Sequence, residues 1–153
     1  MDADAAVSAI AQQIQLAIAP VFLLAGIGAI LNVLAQRLAR AVDRSRALVV
    51  AFEDLAGEER ARAVRELQLL ERRTRASNRA ISFCTASALF VCLVVAVLFI
   101  ADPREIALAR PLALLFIAAM AALIAGLVLF LYEVRLAMRA LRLRRGLLRD
   151  ESR

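Results

Sequence analysis

The stretch AISFCTASALFVCLVVAVLFI, Ala80 to Ile100, runs for 21 residues without a charge. A soluble core has no need of an uncharged run of about 20 residues, but a helix crossing a hydrocarbon layer does. Arg79 closes the run on one side. Asp102-Pro103 closes it on the other and marks a turn. The run therefore reads as a membrane span.

Two further runs have the same character. Leu16–Ala35 has no charge, and Asn32 is its one strongly polar side chain. The third run covers 111–132. Pro111 suits its first turn, where a missing N–H costs nothing. Ahead of the first run, residues 4–19 carry a helical pattern, with Val7, Ile10, Ile14 and Ala17 beside a polar stripe of Ser8, Gln12 and Gln15. Pro20 either opens a new helix after an outer amphipathic one or kinks a single long helix. Both alternatives stand at this point. A cleaved leader is not expected, because the first residues are acidic rather than basic.

Between the first two spans lies a charged segment, 36–79, with 11 Arg and 7 acidic residues. It keeps an apolar face through Leu34, Leu38, Val42, Val49, Phe52 and Leu55. Val64, Leu67, Leu70 and Thr74 restart that face after Gly57. The short Ala-Gly-Glu break implies an antiparallel helical hairpin folded about Gly57. Each arm would project roughly 30 Å. A short outer loop, 102–110, joins spans two (80–101) and three, and an Arg-rich tail, 133–153, follows. The expected fold class is all-α: an integral membrane protein with three transmembrane helices and a cytoplasmic hairpin between the first and second, in one membrane domain.

Composition agrees. Of 153 residues, 63% are hydrophobic, against about 45–50% in ordinary soluble domains. All 20 basic residues are Arg, and His is absent. That removes the commonest general base and metal ligand. Cys84 and Cys92 lie about 12 Å apart along one helix and cannot bridge each other. They read as small apolar fillers. Net charge is −2 over 1–34, +4 over 35–79, 0 over 80–132 and +4 over 133–153. Arg-rich segments stay on the cytoplasmic side, and the two here are separated by an even number of crossings. The N-terminus then faces outward and the C-terminus the cytoplasm.

Three constellations invite a role. On span one, Ala25, Gly28, Asn32, Ala35 and Ala39 form a seam of small residues that lets helices approach closely. A hairpin folded about Gly57 sets position 32 level with 82, so Asn32 is expected to hydrogen-bond near Ser82 or Thr85. The set Gln12, Gln15, Gly28, Asn32, Ser82 and Thr85 reads as helix glue or as a polar lining. At the membrane boundary, Arg37, Arg40, Asp43, Arg44, Glu71, Arg72, Arg75, Asn78 and Arg79 read as an ion network with lipid phosphates or as an anion site. The same fold sets Asp43 near residues 71 and 72 and Gln36 near Asn78. Asp43 and Glu71 are expected to pair across the hairpin or with Arg one turn away. In the tail, Arg135, Arg139, Arg142, Arg145 and Arg149 share a stripe suited to anionic headgroups. Glu133, beside Tyr132, is expected to pair with Arg135 or Arg139. No catalytic constellation is present, so no enzyme, cofactor or metal site is expected. Nucleic acid is not expected either, since no aromatic platform accompanies the Arg.

The segments Pro20–Gly28, Leu31-Asn32-Val33-Leu34, Arg37-Leu38-Ala39-Arg40-Ala41-Val42-Asp43-Arg44 and Asn78-Arg79-Ala80-Ile81 resemble a family of small bacterial membrane proteins, domain of unknown function 2721. The resemblance covers nearly the whole chain. It implies a bacterial inner-membrane location and three spans, and no activity. It marks Asn32, Arg40, Asp43, Arg44 and Asn78 as family-typical. A looser, purely topological similarity to proton-channel subunits of energy-transducing complexes adds only an expectation of a homo-oligomer. The expected function is a non-catalytic homo-oligomeric scaffold or assembly or regulatory factor in contact with the bilayer and its anionic phospholipids. The alternatives are an anion-leaning oligomeric channel or transport-complex subunit, and a regulator that binds anionic lipid.

Overall fold

The computed structural model describes the backbone of residues 2–53, 55–100 and 106–150, and side-chain surroundings at 7, 11, 12, 14–53, 55–100 and 110–138. Three helices account for it: α1 (Asp2–Ala51), α2 (Gly57–Ile100) and α3 (Ile106–Asp150). Each is long and apolar enough to cross a membrane. The sequence favours these lengths because Ala, Leu and Arg dominate, and all are strong helix formers.

α1 passes through Pro20 without interruption. Of the two alternatives above, the single long helix is the one observed. Pro20 removes one intrahelical hydrogen bond, and its ring is buried. α3 starts at Ile106, five residues before Pro111. Residues 106–110 are therefore helix rather than loop. Asp102, Arg104 and Glu105 lie outside the described residues.

The break between α1 and α2 comes earlier than a fold about Gly57. α1 ends at Ala51, the Phe52 amide donates to the Val49 carbonyl at 3.2 Å, and α2 begins at Gly57 itself. Gly57 has φ +56°, a left-handed conformation that glycine adopts without a Cβ clash.

The chain divides into two compact units. Unit 1 comprises Met1–Asn32 and Phe83–Ala125. Its buried residues are mostly small or β-branched: Ala17, Ile27, Cys84, Ser87, Val91 and Ala119. Unit 2 comprises Val33–Ser82 and Gly126–Arg153. Within it, Ala41, Leu48, Ala63 and Leu70 form one apolar cluster covered by Phe52, Leu55 and Leu67.

Buried positions recur every seven residues on each helix. On α1 they are 20, 27, 34, 41 and 48; on α2, 63, 70, 77, 84 and 91; on α3, 119, 126 and 133. A seven-residue period keeps a seam facing its neighbour when helices pack with a slight left-handed crossing.

Candidate functional site: a carboxylate between two guanidinium groups

The seven-residue seam on α3 reaches Glu133, and this places a carboxylate among buried positions. Glu133 is 1% exposed. A buried charge is tolerated only when paired and hydrogen-bonded. Here α1 and α2 each supply a partner within unit 2. Arg37 Nε donates to Oε2 at 2.9 Å. Arg73 donates to Oε1 through Nε at 3.2 Å and Nη2 at 3.1 Å. Each carboxylate oxygen thus has its own guanidinium, and three helices meet at one side chain. The two Arg side chains keep 25% and 23% of their surface. The Arg37 guanidinium also lies over the Phe130 ring, 5.6 Å from its centroid. Phe130 is one helical turn before Glu133, so one stretch of α3 offers a negative charge and a π face to the same cation.

Arg135 and Arg139 were the partners expected for Glu133. Among the described residues, the three observed bonds go to Arg37 and Arg73 instead. The side chain at 133 points inward, along the 119–126–133 seam, whereas Arg135 is exposed. Arg139, Arg142, Arg145 and Arg149 have side chains outside the described residues.

The other boundary residues form a looser set. Arg44 Nε donates to Glu66 Oε1 at 2.8 Å, linking the end of α1 to the start of α2. Arg44 and Glu66 are equidistant from residue 55, and so are Arg37 and Arg73. The fold-back is therefore centred near 55, and positions on α2 shift by one turn from the alignment about Gly57. Asp43 falls level with residue 67 rather than 71–72, and Gln36 with Thr74 rather than Asn78. Glu71 pairs with Arg75 on its own helix at 2.7 Å. Arg40, Asp43, Arg72, Asn78 and Arg79 are exposed. The Arg44 pKa is raised, first by the hydrogen bond to Glu66 and then by its charge.

Among the span residues, Gln12, Gln15, Gly28, Asn32, Ser82 and Thr85 are all exposed. The Ser82 hydroxyl donates to the carbonyl of Asn78, one turn back on α2, at 3.0 Å. In unit 1, the buried polar contact is made by Ser87, whose hydroxyl donates to the Ala119 carbonyl on α3 at 2.7 Å. Unit 2 also carries an open groove of about 670 Å³ between α1 and α2, lined by Val42, Val49, Phe52, Val64, Leu67 and Thr74 among others.

The family model described as Protein of unknown function (DUF2721) matches residues 17–143. The chain belongs to the DUF2721 family. Arg37, Arg73 and Glu133 all fall within the part shared with the DUF2721 model. No curated protein and no solved structure matches the chain.

Sequence reasoning passed over Arg73, Ser87 and the inward direction of Glu133. The available signal was the heptad. Ser87 stands seven residues after Ala80 and seven before Val94, and all three are buried.

Proposed function

We propose that the chain is a non-catalytic, three-span protein of the bacterial inner membrane that assembles with copies of itself and works as a scaffold. The outward face of α1 carries this reading. Ala25, Gly28, Asn32, Ala35 and Ala39 are exposed, and a Cβ built on Gly28 meets no atom within 4 Å. In lipid, helices associate through close van der Waals contact and interhelical hydrogen bonds, and small residues permit both. The chain itself buries only 11%, 22% and 17% of the most apolar stretches of α1, α2 and α3. Further along α1, Val42 and Val49 line the groove of unit 2, and Val49 and Val50 are 60% and 80% exposed. Arg37, which a channel reading places in a ring at the pore mouth, is engaged by Glu133 instead.

Gly28→Leu separates self-assembly from folding. It adds a side chain to open space and replaces a poor helix former with a good one. The single chain should fold as before, while light scattering in mild detergent should show a smaller assembly. Wild-type mass for both Gly28→Leu and Asn32→Leu would overturn the reading.

Orientation follows from the Arg-rich segments, which hold residues 36–79, as a helical hairpin, and the tail on the cytoplasmic side. In a background of Cys84→Ala and Cys92→Ala, Ala56→Cys, at an exposed position beside Gly57, should react with a membrane-impermeant maleimide only after cells are permeabilised. Labelling of intact cells would reverse the assignment.

A further inference from the structure

We propose that Arg37 and Arg73 form a seat for a phosphate oxyanion at the inner boundary of the membrane. This rests on the membrane reading above and is independent of self-assembly.

Charge is the first ground. One carboxylate faces two guanidinium groups, so the Glu133 cluster retains a net positive charge after internal pairing. Its neighbours deepen the excess. Arg40, three residues beyond Arg37, is exposed, as are Arg72 and Arg79. The nearby acid Glu71 is paired with Arg75.

Donor geometry is the second. A guanidinium presents several N–H groups in a planar fork. Arg37 meets Glu133 through Nε, so its Nη edge lies outside that carboxylate. Arg73 meets it through Nε and Nη2, which leaves Nη1. Among the described residues, no buried side-chain nitrogen or oxygen lacks a partner. With about a quarter of each side chain at the surface, the remaining edges are within reach of a ligand.

Rigidity is the third. Long Arg side chains lose much rotamer freedom on binding. Here Glu133 has already fixed both, and Phe130 backs Arg37. Each remaining edge is a pre-set planar fork of its own guanidinium, and planar forks match phosphate oxygens bidentately. Arg37 and Glu133 lie two residues and one residue beyond spans ending at 35 and 132. That is headgroup depth, since the polar layer adds about 5–7 Å on each side of the hydrocarbon.

The phosphate can come from an anionic phospholipid headgroup or from free phosphate. The full chain in mild detergent, titrated with phosphatidylglycerol, phosphatidylcholine or inorganic phosphate, separates the two. The readouts are lipid adducts retained in native mass spectrometry and the melting temperature. Retention of phosphatidylglycerol over phosphatidylcholine by roughly tenfold, without displacement by millimolar phosphate, assigns the seat to lipid. A melting shift with inorganic phosphate alone, and displacement of the lipid by it, assigns the seat to free phosphate. Either supports the proposal.

Arg37→Gln and Arg73→Gln should each weaken the bound species roughly tenfold, whereas Arg142→Gln in the tail should not. Circular dichroism verifies that each variant is folded. Equal retention of all three ligands by the wild type, or wild-type retention by folded Arg37→Gln and Arg73→Gln, overturns the seat. Neither result bears on the Gly28→Leu assembly test.

Discussion

Unit 1 and unit 2 hold the same three helices together by different means. In unit 1, the buried positions are mostly small or β-branched, and a buried hydroxyl bonds a carbonyl, Ser87 to Ala119. In unit 2, Leu and Ala pack beneath Phe52, and a buried carboxylate is gripped by two guanidinium groups. Under the membrane placement proposed above, the contrast follows from solvent. Between helices in lipid there is no hydrophobic driving force, so close packing of small residues carries association. Beyond the hydrocarbon, water restores that force, and charges can be used because their unburied edges remain hydrated. The buried seven-residue pattern is common to both units; the chemistry filling it is not.

The sharpest way to break this contrast is Glu133→Ala. It leaves Arg37 and Arg73 facing each other without their anion. Removing one partner of a buried pair costs about 3–5 kcal/mol. The lower end applies here, because each Arg keeps about a quarter of its side-chain surface. Reversible denaturant unfolding of the solubilised chain should therefore show a loss of about 3 kcal/mol. A loss below 1 kcal/mol would mean that the carboxylate is not what holds unit 2 together.

Ser87→Ala tests the other side. The Ala119 carbonyl still has its helical partner after the hydroxyl is removed, so no orphaned group remains. Interhelical hydrogen bonds in membranes average about 0.6 kcal/mol, up to about 1.7. The same unfolding assay should give a loss in that range. If it matches that of Glu133→Ala, the two units are not held differently.

These two residues also show what the chain discloses in advance. The three spans were legible because each is a long local run, and an uncharged stretch such as Ala80–Ile100 needs no knowledge of its neighbours. The Gly57 break was legible for a similar reason, although α1 ends at Ala51 and Gly57 opens α2. The carboxylate cluster was not, because its partners lie 96 and 60 positions away in sequence. Local charge pairing pointed to Arg135 and Arg139, two and six residues on, but position 133 faces inward while Arg135 is exposed. The register was also missed. A turn centred two residues earlier moves every facing position on α2 by one turn, enough to exchange a predicted neighbour for an unrelated side chain. The sites expected in the tail beyond Met138 lie outside the described residues.

That register can be tested through the smallest effect of the set. Arg44 and Glu66 face each other only if the fold-back is centred near residue 55; centred on Gly57, Arg44 would be level with Leu70. The pair is exposed, at 48% and 36% of side-chain surface, so a double-mutant cycle with Arg44→Ala and Glu66→Ala should give a coupling of about 0.2–1 kcal/mol. The raised Arg44 pKa means that, while Glu66 is ionised, its share of the coupling is present below the ordinary Arg range and is lost only as pH rises through the raised value. Alkali up to the limit of protein stability should therefore leave the cycle unchanged. Salt should not: at about 1 M the Debye length falls to about 3 Å and the coupling should vanish. A coupling of zero at low salt, with Arg44→Ala and Glu66→Ala simply additive, would return the turn to Gly57 and with it the expectation that Asp43 faces residues 71 and 72.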